Sequence, residues 1–386
     1  MAGTANAATQ PKSHDFGYKR AALNFQLSTL NPSAPSPSAT LFVTRSSNLG
    51  FVASMDTSPL RAPTLTLADG GPFPAVGLGW WKMPKPQAPA LVQEAIRIGY
   101  RHFDCACDYG NEPEVGAGLA AAFRAGLCRR EDVWVTSKLW NTYHEPKHVR
   151  PACERTLRDL QLDYVDLYLV HFPIALAYVP FDVRYPPEWF HDPQAAQPVM
   201  KPIDVPYAET WAAMEELQRA GLVQRIGVSN LNISMLRDLL AQCSIRPVVH
   251  QLELHPYLAQ PRQLRFCQQE KIAVTAFSPL GAPSYLPLGM ARPEENVLID
   301  PVVTRISAAH RKTPAQIVLR WGVQRGCAVI PKTQTVSRLA ENLAIFDFAL
   351  TPQEMAAIDA LDCHRRFNDP GHFCEAAFNT FYPIFD

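Results

Sequence analysis

The sequence predicts an α/β fold, a (β/α)8 TIM barrel, from three observations. Short β-branched or aromatic runs alternate with amphipathic stretches of helical period from Thr64 onward. Eight such runs follow one another along the chain. The rival fold, a doubly wound sheet, requires G-x-G-x-x-G after its first strand, but the nearest match, at 116–121, lies inside a predicted helix. We therefore interpret Gly116 and Gly118 as packing glycines.

The elements follow in a regular order. The predicted strands are Ala75–Trp81, Arg101–Ala106, Val133–Trp140, Tyr164–Phe172, Val223–Asn230, Pro247–Leu254, Ala273–Pro279 and Cys327–Pro331. The helices predicted between them include Gln87–Ile98, Glu112–Ala125, Pro146–Leu160, Tyr207–Ala220, Ile233–Ala241, Pro261–Glu270 and Pro314–Arg325. An N-terminal hairpin at the barrel floor is predicted by the Thr64–Leu67 run, the turn at 69–71 and Phe73.

Local signals mark the helix ends. Asn111 is predicted to cap the helix that starts at Glu112, with acidic residues at the positive end of the helix dipole. Thr313 is a predicted cap followed by Pro314 at the first helical position. Glycines predict where three helices stop, at Gly126, Gly221 and Gly326.

Residues 1–62 differ in composition from the rest of the chain. They are rich in Ala, Ser, Thr and Pro, contain no Glu, and carry five basic residues against Asp15 and Asp56. We expect a disordered extension, since little of it can join a core. An organellar transit peptide and a dispensable tail, with Met55 as the true start, are both open interpretations. The barrel domain is then predicted to span residues 63–386.

Composition excludes several function classes. Lys+Arg and Asp+Glu are both 36, which removes the electrostatic basis for general nucleic-acid binding. Runs of about 18 apolar residues are missing, so no transmembrane helix is expected. The nine cysteines show no CxxC pair and no zinc spacing, which indicates a reduced intracellular protein without a metal site. Cys105 and Cys107 are expected on one face of a strand.

Polar residues at adjacent strand ends predict a catalytic group. Strand two ends in Asp104 with Tyr109 in its loop, strand three ends near Lys138, and strand four ends in His171. Active residues of such barrels lie at the C-terminal ends of strands. An ammonium beside a phenol should lower its pKa from about 10, a carboxylate should hold the Lys, and a His should orient a carbonyl oxygen. Tyr109 would then donate a proton during carbonyl reduction.

The ordered motifs of the chain resemble the aldo-keto reductase superfamily from Thr64 to Asp386. They are Gly77-Leu78-Gly79, Phe103-Asp104, Asp108-Tyr109-Gly110-Asn111-Glu112, Thr136-Ser137-Lys138-Leu139-Trp140, Leu169-Val170-His171-Phe172-Pro173, Gly227-Val228-Ser229-Asn230 and Ile330-Pro331-Lys332. The resemblance implies the same four catalytic residues, with Tyr109 as general acid, and reduction of aldehydes or ketones by NADPH without a metal.

The resemblance also implies a cofactor site. The nicotinamide carboxamide would bind Ser229, Asn230 and Gln251, and the nicotinamide ring would stack on Phe277. The pyrophosphate would be covered by Ser278, Leu280 and Gly281. The 2′-phosphate would bind Lys332, Thr333 and Arg338, and the adenine would contact Glu341 and Asn342. Two cations around a dianion favour NADPH, with NADH as a weaker alternative. Gln334 stands where the group usually has Asn.

Within the superfamily the chain is similar to fungal-type D-xylose reductases and to plant aldose-6-phosphate reductases. The first likeness comes from Val179-Pro180-Phe181, Tyr185-Pro186-Pro187 and Arg366-Phe367-Asn368-Asp369-Pro370, and the second from Arg101-His102-Phe103-Asp104-Cys105-Ala106. The likeness to xylose reductases implies that Asn368 contacts a sugar hydroxyl. The substrate wall would consist of Trp81, Trp140, His171 and Phe172. Gly371 replaces the Trp that usually follows Asn-Asp-Pro.

Three functions stay open at this point. The first is NADPH-dependent reduction of a D-xylose-like aldose to its alditol. The second is reduction of an aldose 6-phosphate such as mannose 6-phosphate, with Arg365, Arg366 and Lys201 as phosphate partners. The third is a non-catalytic binding subunit on the same barrel. We expect a small-molecule partner, a monomer or homodimer, and a cytoplasmic location, with a plastid or another organelle as the alternative.

Overall fold

A computed structural model describes residues 62–385 of the chain. The predictions for residues 1–61 therefore lie outside the described residues. The strands are β1 (Thr64–Thr66), β2 (Pro72–Pro74), β3 (Leu78–Gly79), β4 (His102–Asp104), β5 (Trp134–Leu139), β6 (Leu167–Val170), β7 (Ile226–Ser229), β8 (Val249–Glu253), β9 (Ala273–Phe277) and β10 (Cys327–Val329).

Strands β3 to β10 form one parallel sheet in which each strand pairs with the next along the chain. A parallel bridge between Val76 and Val329 joins the first strand to the last, with N–H···O bonds of 2.9 Å to and from Val329. The sheet therefore closes, and the predicted (β/α)8 barrel is confirmed. Each barrel strand is shorter than the strand predicted from the sequence. The residues left over lie in loops, and several of them belong to the candidate site.

The hairpin of β1 and β2 lies across the N-terminal ends of the barrel strands, as predicted. Its strands are antiparallel, with Leu65 opposite Phe73. The Phe73 ring is fully buried, 4.9 Å from the ring of Trp134 and 5.2 Å from that of His102. The hairpin thus closes this end with apolar contacts and leaves the other end for chemistry.

The helices enclose the sheet. They are α1 (Ala88–Ile98), α2 (Glu112–Arg124), α3 (Pro146–Leu160), α4 (Tyr207–Arg219), α5 (Ile233–Gln242), α6 (Pro261–Gln269), α7 (Pro301–His310), α8 (Pro314–Gln324), α9 (Val336–Leu343), α10 (Pro352–Asp359) and α11 (Pro370–Phe378). The seven predicted helices are present within two residues at each end, and α7, α9, α10 and α11 are additional.

The predicted helix ends are right at Thr313 and wrong at Asn111. Thr313 Oγ1 accepts the N–H of Gln316, whose side chain accepts the N–H of Thr313 in return. Asn111 makes no side-chain cap; its Nδ2 donates to the carbonyls of Trp80 (2.9 Å) and Met83 (3.2 Å). The buried amide is used to tie the loop after β3 to the loop that carries Tyr109. The three predicted stop glycines all have positive φ, from 65° to 84°.

Gly116 and Gly118 are packing residues of α2, as predicted. A Cβ on Gly116 would lie 2.5 Å from the carbonyl oxygen of Asp159, and one on Gly118 would lie 2.7 Å from the Cβ of Val92. The helix therefore touches α3 and α1 through bare backbone.

The prediction for Cys105 and Cys107 is wrong in its geometry. Strand β4 ends at Asp104, and Cys107 begins a short 3-10 turn, so the two thiols do not share a strand face. Both are free and buried. Along residues 62–385, no helix is both long and apolar enough to cross a membrane.

Candidate active site

The four predicted catalytic side chains meet at the C-terminal end of the barrel. Lys138 Nζ donates to Asp104 Oδ1 at 2.6 Å, to the Cys105 carbonyl at 2.8 Å and to Tyr109 Oη at 3.1 Å. The ring of His171 stands edge-on to that of Tyr109, with centroids 5.9 Å apart. The pairing of β4 with β5 and of β5 with β6 brings these residues together.

Burial decides the protonation of this group. Burial first, and then the charge of Asp104, raise the pKa of Tyr109 well above its ordinary value. Our expectation that the ammonium would lower this pKa is therefore wrong in direction, because desolvation and the carboxylate prevail. Burial and the charge of Lys138 hold the pKa of His171 well below its ordinary value. At neutral pH the site therefore contains a protonated phenol and a neutral imidazole.

The three residues predicted for the carboxamide lie beside this group. Asn230 Nδ2 donates to the His171 carbonyl at 2.9 Å and to Ser229 Oγ at 3.1 Å. Its Oδ1 is buried and has no donor from the described part of the chain. Gln251 Nε2 donates to Asp104 Oδ2 at 2.7 Å. A primary amide is a group that could satisfy Asn230 Oδ1, so these residues fit a carboxamide.

The loop after β9 continues the groove. Phe277 ends β9 with its ring partly exposed, as a stacking residue requires. Ser278 and Gly281 both have positive φ, and Ser278 Oγ is 2.8 Å from the hydroxyl of Tyr285. The buried Tyr285 thereby fixes the segment that also contains Leu280.

Lys332 and Arg338 follow β10 and differ in their surroundings. Lys332 is partly buried, which lowers its pKa. The guanidinium of Arg338 is exposed and forms no hydrogen bond or ion pair within residues 62–385. Thr333 Oγ1 accepts the N–H of Thr335 at 3.1 Å. This pair of cations beside an ordered turn suits a phosphate.

The last two predicted cofactor residues, Glu341 and Asn342, lie on α9. Glu341 Oε1 accepts a hydrogen bond of 2.7 Å from Thr313, and Asn342 is buried against Tyr100. Both are thus partly engaged within the protein.

Aromatic rings surround the tetrad. Trp140 is fully buried and stands edge-on to His171 at 5.2 Å and to Trp189 at 4.9 Å. Phe172 stacks on His171 at 4.9 Å. The Trp81 ring lies 5.7 Å from that of Tyr285. Such a wall excludes water from a reacting carbonyl.

Comparison with known proteins agrees with this geometry. The model of the aldo/keto reductase family matches residues 74–362. A probable NAD(P)H-dependent D-xylose reductase of Arthroderma otae is 46% identical over 331 residues, which cover 85% of this chain and 98% of the relative. The chain belongs to the aldo/keto reductase family.

Two further relatives support the assignment of this aldo/keto reductase. An NADPH-dependent aldose reductase of Saccharomyces cerevisiae is 44% identical over 323 residues, covering 82% of this chain and 98% of the relative. The solved structure of the aldose reductase from Schistosoma japonicum has 36% identity and a TM-score of 0.73, over 83% of this chain and 98% of that chain. The protein is therefore an oxidoreductase of this family.

Two residues of this aldo/keto reductase were not predicted from its sequence. Lys82 Nζ lies 4.2 Å above the Trp81 ring and donates to the Ser284 carbonyl. Burial and the charge of Lys332 lower the pKa of Lys82 to about 8. The sequence signal that could have identified Lys82 is its position directly after Trp81. Trp189 was missed because its loop shows no periodicity, although it contacts both Trp140 and Phe172.

Asn368 is a partly buried residue of the C-terminal segment of the reductase. Its Oδ1 is buried and receives no hydrogen bond from residues 62–385. A hydroxyl donor would satisfy it. Clusters of three or more His, Cys, Asp or Glu side chains able to hold a metal do not occur in the same residues.

Proposed function

We propose that the chain reduces the open-chain aldehyde of a D-xylose-like aldose to the alditol with NADPH. The observation that carries the proposal is the contact of Lys138 with both Asp104 and Tyr109 beside His171. The names of the relatives, D-xylose reductase and aldose reductase, support the choice of an aldose.

The chain's own residues account for the proton chemistry. When bound, the reduced nicotinamide supplies the hydride. Tyr109 holds the proton that the carbonyl oxygen takes up. Lys138, 3.1 Å from the phenol, stabilises the phenolate that remains, and Asp104 keeps the ammonium in place. The neutral His171 orients the carbonyl oxygen between the aromatic rings.

We further propose that the cofactor lies along the groove described above. Ser229, Asn230 and Gln251 would hold its carboxamide, Phe277 its ring, and Ser278, Leu280 and Gly281 its pyrophosphate, joined by Lys82. Lys332, Thr333 and Arg338 would grip the 2′-phosphate, and Glu341 and Asn342 the adenine. The repulsion between Lys82 and Lys332 supports an anionic occupant, because an anion between them removes that repulsion. Trp81, Trp140, His171, Phe172 and Asn368 would line the sugar site.

The other two functions have less support. Of the three cations considered for a phosphorylated sugar, Arg365 is already bound to Glu295 at 2.6 Å and to two backbone carbonyls. A binding subunit would not need an assembled tetrad. We also propose a cytoplasmic monomer or homodimer, with residues 63–386 as the single barrel domain and residues 1–62 as an extension; an organellar location is the alternative.

The test is a substrate panel on the full chain. Oxidation of NADPH and of NADH is followed with xylose, with mannose 6-phosphate and without sugar, and the alditol is identified by chromatography. We expect xylose with NADPH to give the highest kcat/KM. A preference for mannose 6-phosphate would refute the proposed sugar, and cofactor binding without turnover of any carbonyl would favour the binding subunit.

A further inference from the structure

Glu253 is a fully buried carboxylate outside the tetrad. It ends β8, two residues after Gln251, and no part of it reaches solvent. Burying a charge is costly unless hydrogen bonds and countercharges compensate. Burial opposes its ionisation, yet the hydrogen bond from His255, the nearby Arg366 charge and the N–H of Phe367 together hold the pKa of Glu253 below its ordinary value.

The carboxylate binds two consecutive peptide groups of the C-terminal segment. The N–H of Phe367 donates to Oε1 at 2.8 Å, and the N–H of Asn368 donates to Oε2 at 2.8 Å. His255 Nε2 lies 2.9 Å from Oε1. Two adjacent N–H groups converging on one anion fix the backbone orientation between them. The direction in which the Asn368 side chain leaves the backbone is fixed with it.

The ring of Phe367 makes further contacts that hold the same segment. It stacks on Tyr285 with centroids 5.4 Å apart and planes 17° apart, and it lies 5.2 Å from the His255 ring. Tyr285 in turn contacts Ser278. The segment is therefore held between a strand end and the loop after β9, while Asn368 Oδ1 stays without a protein donor within residues 62–385.

We propose that Glu253 is a positioning residue of the sugar site, whose carboxylate sets the Asn368 amide for a substrate hydroxyl. The inference rests on the proposed function, because it takes Asn368 as a sugar contact. Glu253 itself does not touch the reacting atoms. It acts through the backbone of Phe367 and Asn368, so its removal should affect recognition of a polyhydroxy aldehyde and spare the reduction of a simple one.

The main test compares Glu253→Gln with the wild type on the aldose that the wild type reduces best and on propanal. In Gln one carboxylate oxygen is replaced by an NH2 group, which donates hydrogen bonds and does not accept them. One of the two backbone N–H groups, that of Phe367 or that of Asn368, therefore loses its acceptor. We expect kcat/KM for the aldose to fall about tenfold and that for propanal to change less than twofold. Asn368→Ala should add little in the Glu253→Gln background, since both changes remove the same contact.

A matched control is Glu215→Gln. Glu215 is also buried and accepts two consecutive backbone N–H groups, those of Ser244 (2.7 Å) and Ile245 (2.8 Å), both at Oε1, while its Oε2 binds Arg219. It lies on α4 at the opposite end of the barrel from the candidate site. We expect it to lower the melting temperature without changing the ratio of aldose to propanal activity. Equal losses on both substrates in Glu253→Gln, or additive effects with Asn368→Ala, would overturn the inference.

Amide hydrogen exchange separates this inference from the proposed substrate. In Glu253→Gln the peptide around residues 366–370 should exchange faster, whereas in Glu215→Gln it should not. If exchange of this peptide is unchanged in Glu253→Gln, the anchoring role of Glu253 is refuted, whatever substrate the wild type reduces. If the wild type reduces no aldose, the proposed sugar is refuted, and the exchange result still decides the anchoring. If Glu253→Gln does not fold, Glu253→Asp, which retains the charge but is one methylene shorter, should show the same selective loss, and equal losses would again overturn the inference.

Discussion

Gln251 donates a hydrogen bond of 2.7 Å from its Nε2 to Oδ2 of Asp104. The other oxygen of that carboxylate binds Lys138. One carboxylate thus orients both the ammonium beside the phenol and the amide that we assign to the cofactor. This bond uses one N–H of Gln251 Nε2, and Oε1 is the acceptor that the side chain can offer to a carboxamide N–H. On the proposed assignments, the same buried carboxylate would set both cofactor orientation and proton donation.

Replacement of Tyr109 by Phe removes the proposed proton donor and keeps the ring. We expect kcat to fall by at least about 10²–10⁴-fold, because general acid catalysis is lost. NADPH affinity, measured by quenching of protein fluorescence, should barely change. Turnover close to that of the wild type would refute the assignment of Tyr109.

Arg338→Ala tests the choice of cofactor. A hydrogen bond to a charged group contributes roughly 1.5–3 kcal/mol, so KM for NADPH should rise about ten- to a hundredfold while KM for NADH stays almost unchanged. Arg305→Ala, at another exposed helical arginine, is the matched control and should alter neither value. Equal losses with both cofactors would mean that Arg338 does not contact the 2′-phosphate.

Asn368→Ala tests the sugar contact. Only hydroxyl-dependent binding in the transition state should be lost, because the tetrad and the cofactor groove are untouched. Loss of one neutral hydrogen bond costs about 0.5–1.5 kcal/mol, which predicts a decrease of about two- to tenfold in kcat/KM for xylose. The kcat/KM for propanal should not change. An equal decrease for propanal would contradict the assignment of Asn368 as a contact of a sugar hydroxyl.

The acid sensitivity of the fold should depend on buried histidines such as His144. Burial lowers the pKa of His144 from 6.5 to about 3. Below pH 6.5 the unfolded chain therefore binds a proton that the folded chain excludes, so stability is lost as pH falls. Between about pH 7.5 and 5.5 this group should account for about 1.4 kcal/mol of the free energy of unfolding.

Urea unfolding of His144→Phe at these two pH values should show a correspondingly smaller decrease than the wild type. His364→Phe is the control, because the His364 side chain is 87% exposed and is hydrated in both states. A decrease in His144→Phe equal to that of the wild type would contradict the prediction.

Deletion of residues 1–54, so that the chain starts at Met55, should preserve activity per molecule. The barrel between residues 62 and 385 contains every residue that we assign to the site. Specific activity and melting temperature of the purified shorter chain are the measurements. A large decrease in either would show that the deleted segment contributes to the folded enzyme.

The sequence predicted those features that depend on local physics. Alternating runs marked all eight barrel strands, and Thr313-Pro314 marked a helix start that forms as expected. Residues at adjacent strand ends, such as Asp104 and Lys138, were recognisable because parallel strands bring those ends together.

Features decided by tertiary contacts were not predictable in this way. Asn111 is a strong cap residue by type, but burial against the Trp80 and Met83 carbonyls gives it other partners. The pKa of Tyr109 depends on desolvation, which sequence spacing does not report. The C-terminal segment is held by Glu253 across 114 positions of sequence, a contact that no local pattern encodes.

The bare-backbone contacts of α2 have a consequence for variants far from the substrate. The helix starts at Glu112, three residues after Tyr109, and touches its neighbours at Gly116 and Gly118 with no room for a methyl group. A larger residue there would displace the helix as a rigid rod and move the loop at its start. Because misplacement of a reacting group by about 1 Å can cost about 10²-fold in rate, such a variant would resemble an active-site defect in kinetic assays.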